Sequence, residues 1–258
     1  MSTMPAAFLG HGNPMNALEH NRYTDAWRSF VASAPTPSAV LVISAHWYVN
    51  ITAVTAMERP RTIHDFYGFP QELFDVEYPA PGDPELARRV AEVVAPDYVG
   101  LDADSWGLDH GAWSLLVHMF PDADVPVVEL SVHAGKPFDE HLALGAALSP
   151  LRDEGVMVIA SGNVVHNLSM VDWQSPGTGA PWAQSFDDAV RRTMTTEPSS
   201  LGLVVDDPGF HLAVPTPDHF LPLAYLAGLA TASGERASTI VDGLELGSLS
   251  MTSYAIGG

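Results

Sequence analysis

Short runs of apolar, largely β-branched residues punctuate the chain at Ala6 to Leu9, Ala39 to Ala45, Ile51 to Ala56, Val125 to Val132 and Val156 to Ala160. Runs this short, apolar at odd and even positions alike, predict strands buried on both faces. Between them the pattern lengthens to a helical period. In Pro84 to Ala95 (PELARRVAEVVA), Leu86, Val90, Val93 and Val94 follow helical spacing, Asp83 stands at the N-cap and proline takes the first helical position. Phe138 to Leu151 and Trp182 to Thr195 carry similar patterns, and a further helix is predicted over His219 to Ala230. Ser238 to Val241 and Leu249 to Ala255 read as two last strands.

Strands alternating with helices predict an α/β fold, a mostly parallel central sheet sandwiched by helices. No repeat is visible and the 21 Pro and 21 Gly are scattered rather than gathered into a linker, so one domain is expected over residues 1–258. In such sheets ligands sit at the carboxyl ends of the strands, which directs attention to the residues just after each apolar run.

Composition alters the choice of partners more than the fold. Hydrophobic residues at 47% against 16% charged exclude a disordered chain, and a net charge of −20 speaks against nucleic acid or an anionic membrane surface. Without cysteine there is no disulfide, thiolate ligand or cysteine nucleophile, so a metal must be held by His, Asp or Glu. No segment approaches the ~18 apolar residues of a membrane span, and the start of the chain has neither a basic nor an adequately apolar leader region. A cytoplasmic monomer or homodimer is expected. The eleven histidines equal Lys and Arg combined.

Their positions matter more than their number. His11 follows a strand run between Gly10 and Gly12, His46 ends LVISAHW, and His166 lies shortly after VMVIASG. His110 sits in GLDHGAW just before a helix, and His219 opens the last long helix after Pro215 and Pro217. A single histidine at a strand end is more often structural than functional. Several in one cysteine-free α/β fold favour a metal site, because neutral imidazole is the commonest metal ligand. His20, His118 and His141 fall in helix-like stretches where surface or core roles suffice, and His133 and His211 carry no assignment. His64 lies in an aromatic, turn-rich segment, IHDFYGFP, with the composition of a pocket-lining loop. No phosphate-binding loop, dinucleotide turn, nucleophile elbow or HExxH helix occurs, which removes support from nucleotide binding, hydride transfer and serine hydrolysis.

The segments FLGHGNPM, VISAHW, TIHDFYGFP, YPAPGDPELA, WGLDHGAW, ASGNVVHNL, PTPDHFLPL and GSLSM, in this order from residue 8 to residue 252, resemble the class III extradiol ring-cleavage dioxygenases, specifically their 4,5-DOPA branch. The resemblance implies a non-haem Fe(II) enzyme that uses O2 to open a catechol ring beside its two hydroxyl carbons, with Zn(II) often found in the site. It implies metal ligation by His11, His46 and His219, an acid/base role for His166, and a role for His110 in binding or polarising substrate or oxygen. With zinc, His166 would complete a four-coordinate site. Trp47, Phe66, Tyr67 and Trp113, with His64, are the expected substrate-binding residues.

Three protein ligands leave positions on iron for a catechol and O2, and a neutral His166 would accept a catechol proton, a role suited to a pKa near 7. The usual ligand set of such enzymes is two histidines and a carboxylate, whereas the third position here falls on His219; the adjacent Asp218 is the alternative ligand. An all-imidazole set is also what a zinc hydrolase or lyase presents. A non-catalytic metal- or catechol-binding protein is the third reading.

Overall fold

The structure is a computed structural model describing residues 3–257. Its strands are β1 (Ala6–Gly10), β2 (Ala39–Val49), β3 (Ala53–Thr55), β4 (Gly100–Asp102), β5 (Val127–His133), β6 (Val156–Gly162), β7 (Ser238–Val241), β8 (Leu244–Glu245), β9 (Leu249–Ser250) and β10 (Ser253–Ile256). Its helices are α1 (Arg22–Ser33), α2 (Gln71–Phe74), α3 (Pro84–Val93), α4 (His110–Met119), α5 (Phe138–Ala147), α6 (Ser149–Asp153), α7 (Pro181–Thr196), α8 (Phe210–Ala213) and α9 (Leu221–Ser233).

Eight strands form one sheet in the order β4-β3-β5-β2-β6-β1-β10-β7, and β8 and β9 make a separate small ladder. The centre, β5-β2-β6-β1, is parallel throughout. Toward the margins β3 runs antiparallel to β5, and β10 antiparallel to β1 and β7. Because successive side chains alternate across a strand, each central strand feeds two cores. Phe8, Leu41, Ile43, Val158 and Ala160 pack under α3, α5, α7 and α9. Ala7, Leu9, Val40, Val42 and Ile159 pack against α1 and α4. This two-sided burial is what made the strands read as unbroken apolar runs. Among the described residues no helix is long and apolar enough to cross a membrane.

Several expected boundaries shift for identifiable reasons. The helix expected over Phe138 to Leu151 divides at Leu148, since Pro150 lacks the N–H a continuing helix needs and instead sits in the first turn of α6. The helix expected to begin at His219 begins at Leu221, leaving His219 in the preceding turn. The last stretch, Leu249 to Ala255, divides into β9 and β10. Strand β2 continues through His46 to Val49 instead of ending at Ala45. Helix α1 was not expected from the pattern; Asn21 starts it by accepting from the Tyr23 and Thr24 N–H groups while the Thr24 hydroxyl accepts from Asn21.

Candidate metal centre

Five histidines converge at the carboxyl edge of the central strands. His11 directly follows β1, with Gly12 in the left-handed region at φ 61°. His46 is presented by an irregularity in β2: the register against β5 passes from Ser44 opposite Ser131 to Tyr48 opposite Val132, leaving Ala45, His46 and Trp47 unmatched. Such a bulge re-aims the side chains it carries. His110 is the first residue of α4, whose cap Asp109 accepts from the Ala112 N–H at 3.2 Å and from the Ser44 hydroxyl at 2.7 Å.

The other two arrive after β6. His166 donates its backbone N–H to the Ala213 carbonyl at 2.9 Å and pairs with Leu249 of the GSLSM segment. Asp187 on α7 secures that segment by accepting from Ser250 at 2.5 Å and Thr252 at 2.9 Å. The His219 carbonyl accepts from the Asn163 N–H at 2.9 Å, and a Cβ on Gly162 would lie 2.2 Å from that carbonyl oxygen, so the approach requires glycine. Ring centroids lie 5.0 Å apart for His11 and His46, 5.3 Å for His11 and His219, 4.9 Å for His46 and His219, and 3.9 Å for His46 and His110. The His166 and His219 rings stack at 3.5 Å.

Hydrogen bonds behind the rings assign their tautomers. The Ser161 hydroxyl spends its hydrogen on the Gly111 carbonyl at 2.6 Å, so at 2.9 Å from His11 Nδ1 it can only accept. Asp218 accepts from His219 Nδ1, and Asp65 lies against two rings, its Oδ2 3.0 Å from His46 Nδ1 and its Oδ1 2.9 Å from His110 Nδ1. His11, His46 and His219 therefore carry the proton on the outer nitrogen and keep Nε2 as a lone pair. Nε2 of His11 and His46 stand 3.1 Å apart, and Nε2 of His219 is buried with no hydrogen-bond partner. Facing lone pairs need a proton or cation between them, and imidazole nitrogens backed by serine or carboxylate partners are the donor set that iron or zinc takes. Ligand atoms of His11, His46 and His110, and separately of His166, Asp218 and His219, lie within 4.8 Å of one another.

Burial and neighbouring histidines set the protonation. They hold His11 well below the ordinary imidazole value, lower His166 to about 2, and lower His219 to about 4 despite Asp218. His110 is lowered by burial and by His46. For His46 burial also acts downward, but the bond to Asp65 and the charge of Asp109 outweigh it and the net shift is upward. Burial would raise Asp65 and Asp218; the imidazoles they accept from hold both below the usual carboxylate range.

The remaining expected residues separate. Phe66 meets His110 edge-on with centroids 5.4 Å apart. Trp47 stacks on Trp106 at 5.5 Å, and Trp106 donates to the buried Glu129 at 2.9 Å. Tyr67 is 92% exposed. Trp113 is fully buried and donates its indole N–H to the Ile63 carbonyl, while His64 Nε2 donates to the Val76 carbonyl at 2.9 Å; both brace the 61–78 loop from within. Asp65, Ser161, Trp106 and Glu129 were not singled out from the sequence. Asp65 stands beside His64 in TIHDFYGFP, where an acidic residue flanked by aromatics was the available signal.

Comparison with known proteins agrees with this geometry. Residues 6–256 match the family described as the catalytic LigB subunit of aromatic ring-opening dioxygenase. The chain is 51% identical to the 4,5-DOPA dioxygenase extradiol of Escherichia coli K12 over 98% of its own length and 95% of that protein. It is 38% identical to the enzyme of the same name from Beta vulgaris, over 96% and 94% of the two chains. A crystal structure of an uncharacterized Escherichia coli K12 protein superposes with a TM-score of 0.85 at 45% identity, covering 98% of this chain and 99% of that one. The sequence match, the fold and the histidine cluster together make this chain a member of the LigB family of metal-dependent aromatic ring-opening dioxygenases.

Proposed function

We propose that this protein is an extradiol dioxygenase that opens the ring of a DOPA-like catechol with O2, with Fe(II) as the metal of turnover. His11, His46 and His219 are its protein ligands. The observation that carries the reading is that each of these rings sets its Nδ1 against an outer acceptor, which leaves Nε2 as a lone pair, with the three ring centroids 4.9 to 5.3 Å apart. When bound, Fe(II) supplies open coordination positions for both substrates and a path for electrons between them. Asp218 serves His219 as the acceptor that fixes its ring, in preference to acting as the third ligand. Asp65 and Asp218 supply the negative charge that the imidazole ligands lack.

His166 is the acid/base residue. Its ring is neutral and stacked on His219, so its lone pair is available to accept a catechol hydroxyl proton and to return it as the ring opens. His110, whose ring centroid lies 3.9 Å from that of His46, orients substrate or oxygen. Phe66, edge-on to His110, is the aromatic residue best placed to meet a catechol ring, with Trp47 farther along the bulge. The printed names of the relatives support DOPA as the first substrate to try.

The test is anaerobic reconstitution with Fe(II) or Zn(II), followed by air and a panel of catechols. Oxygen uptake with a yellow ring-opened product in the iron sample alone is expected. Oxygen-independent turnover retained with zinc would favour the hydrolase or lyase reading, and no turnover with any catechol would overturn the proposal.

A further inference from the structure

Asp65 stands between two histidines to which the proposed function gives different work. Its Oδ2 lies 3.0 Å from His46 Nδ1 and its Oδ1 lies 2.9 Å from His110 Nδ1. The oxygens are not equivalent, because Oδ1 also accepts the His110 backbone N–H at 2.9 Å. That N–H belongs to the first turn of α4, whose free amides the Asp109 cap only partly satisfies. Oδ1 is thereby committed to α4, and Oδ2 is left to His46.

We propose that Asp65 is a positioning residue whose Oδ2 keeps His46 in the tautomer competent to bind a metal. A carboxylate has no hydrogen to donate, so His46 must give Oδ2 its Nδ1 proton and keep Nε2 as a lone pair. An asparagine of the same shape cannot serve the α4 amide and His46 alike. Its single oxygen must take the Oδ1 place to receive the His110 backbone N–H, which points its NH2 group at His46 Nδ1. His46 must then accept at Nδ1 and carry its proton on Nε2, where no lone pair remains for a ligand bond.

This gives an ordering that a purely structural role would not. If Asp65 only filled space and tied loops together, the isosteric Asp65→Asn would be the milder change and Asp65→Ala the harsher. The tautomer argument reverses them for metal binding: alanine leaves His46 free to choose the ligating form, whereas asparagine holds it in the wrong one. Partners behind a metal-binding histidine typically contribute 10–100-fold in affinity. Asp65→Asn should fall in that range and Asp65→Ala should lose less.

The experiment combines nitrogen NMR of the histidine rings in the chelator-treated protein with Zn(II) titration against a competing chelator. In the wild type His46 should be Nδ1–H; in Asp65→Asn it should switch to Nε2–H, and zinc affinity should rank wild type, then Ala, then Asn. A wild-type His46 already protonated on Nε2, or Asn binding zinc as well as or better than Ala, would overturn the proposal. The wild-type spectrum decides even if a variant fails to fold. The ring spectra are independent of the reaction, while the zinc ranking rests on the ligand set proposed above, so a catalytically inert protein with the expected tautomers would refute the function and leave this inference standing.

Discussion

Two buried histidine neighbourhoods in this molecule use opposite nitrogens. At the strand-end centre, His11, His46 and His219 set Nδ1 against Ser161, Asp65 and Asp218 and keep Nε2 as a lone pair, those of His11 and His46 facing each other. On α4, His118 donates from Nε2 to the Asn16 carbonyl at 2.7 Å and accepts at Nδ1 from Arg28 at 2.9 Å. Both its nitrogens are used inside the protein. Burial lowers both kinds of ring, so low basicity does not distinguish them. What distinguishes them is whether one lone pair is left without a protein partner, and that depends on the acceptor behind the ring.

The largest effect expected to sharpen this contrast is at the ligands. His46→Ala should abolish metal retention and reduce oxygen uptake to background while circular dichroism and melting show a folded protein; a variant that kept its metal would break the comparison. His166→Ala should keep the metal, read by elemental analysis, but lose roughly 10²–10⁴-fold in kcat, the usual range for an acid/base residue. Unchanged kcat would remove His166 from the chemistry.

A third expectation concerns the support of the GSLSM segment. Burial pushes the Asp187 carboxyl up to about 6, only partly offset by bonds from Ser250 and Thr252. The folded protein thus holds this proton more tightly than the unfolded chain. The resulting stability is complete below about pH 4 and lost as pH rises through about 6, a decline of about 3 kcal/mol attributable to this group. Denaturant titrations across that window, in the wild type and in Asp187→Asn, should show the decline in the former and its absence in the latter; equal slopes would refute the assignment. The smallest effect is at His118. His118→Leu should cost about 1–3 kcal/mol of stability by leaving its partners unsatisfied, with kcat of the iron-loaded enzyme within a few-fold of wild type.

The same contrast explains what was legible in the sequence. The central strands were readable because two-sided burial writes unbroken apolar runs; His11, His46 and His166 were readable because they sit beside the ends of those runs, and His110 and His219 because they stand at the starts of expected helices. Their aim was not readable. His46 owes its direction to three unmatched residues in β2, which leave no mark in a stretch where Trp47 and Tyr48 simply continue the apolar run. Asp65 and Ser161 were hidden because a carboxylate or hydroxyl acquires its role only when the 61–78 loop, β6 and the start of α4 meet in space. Trp113 and His64 stood in the right segments, but the fold turns them inward to brace the loop. Proximity in sequence to a functional histidine marks the neighbourhood and not the contact.

The central claim is that these inward lone pairs hold a metal that brings a catechol and dioxygen to reaction together. It is tested most directly by turnover of DOPA under isotopically labelled O2 with the Fe(II)-reconstituted protein, followed by mass spectrometry of the ring-opened product. Incorporation of both atoms of the labelled molecule is the expected result; a product carrying label from water alone, or formed equally well without oxygen, would contradict it.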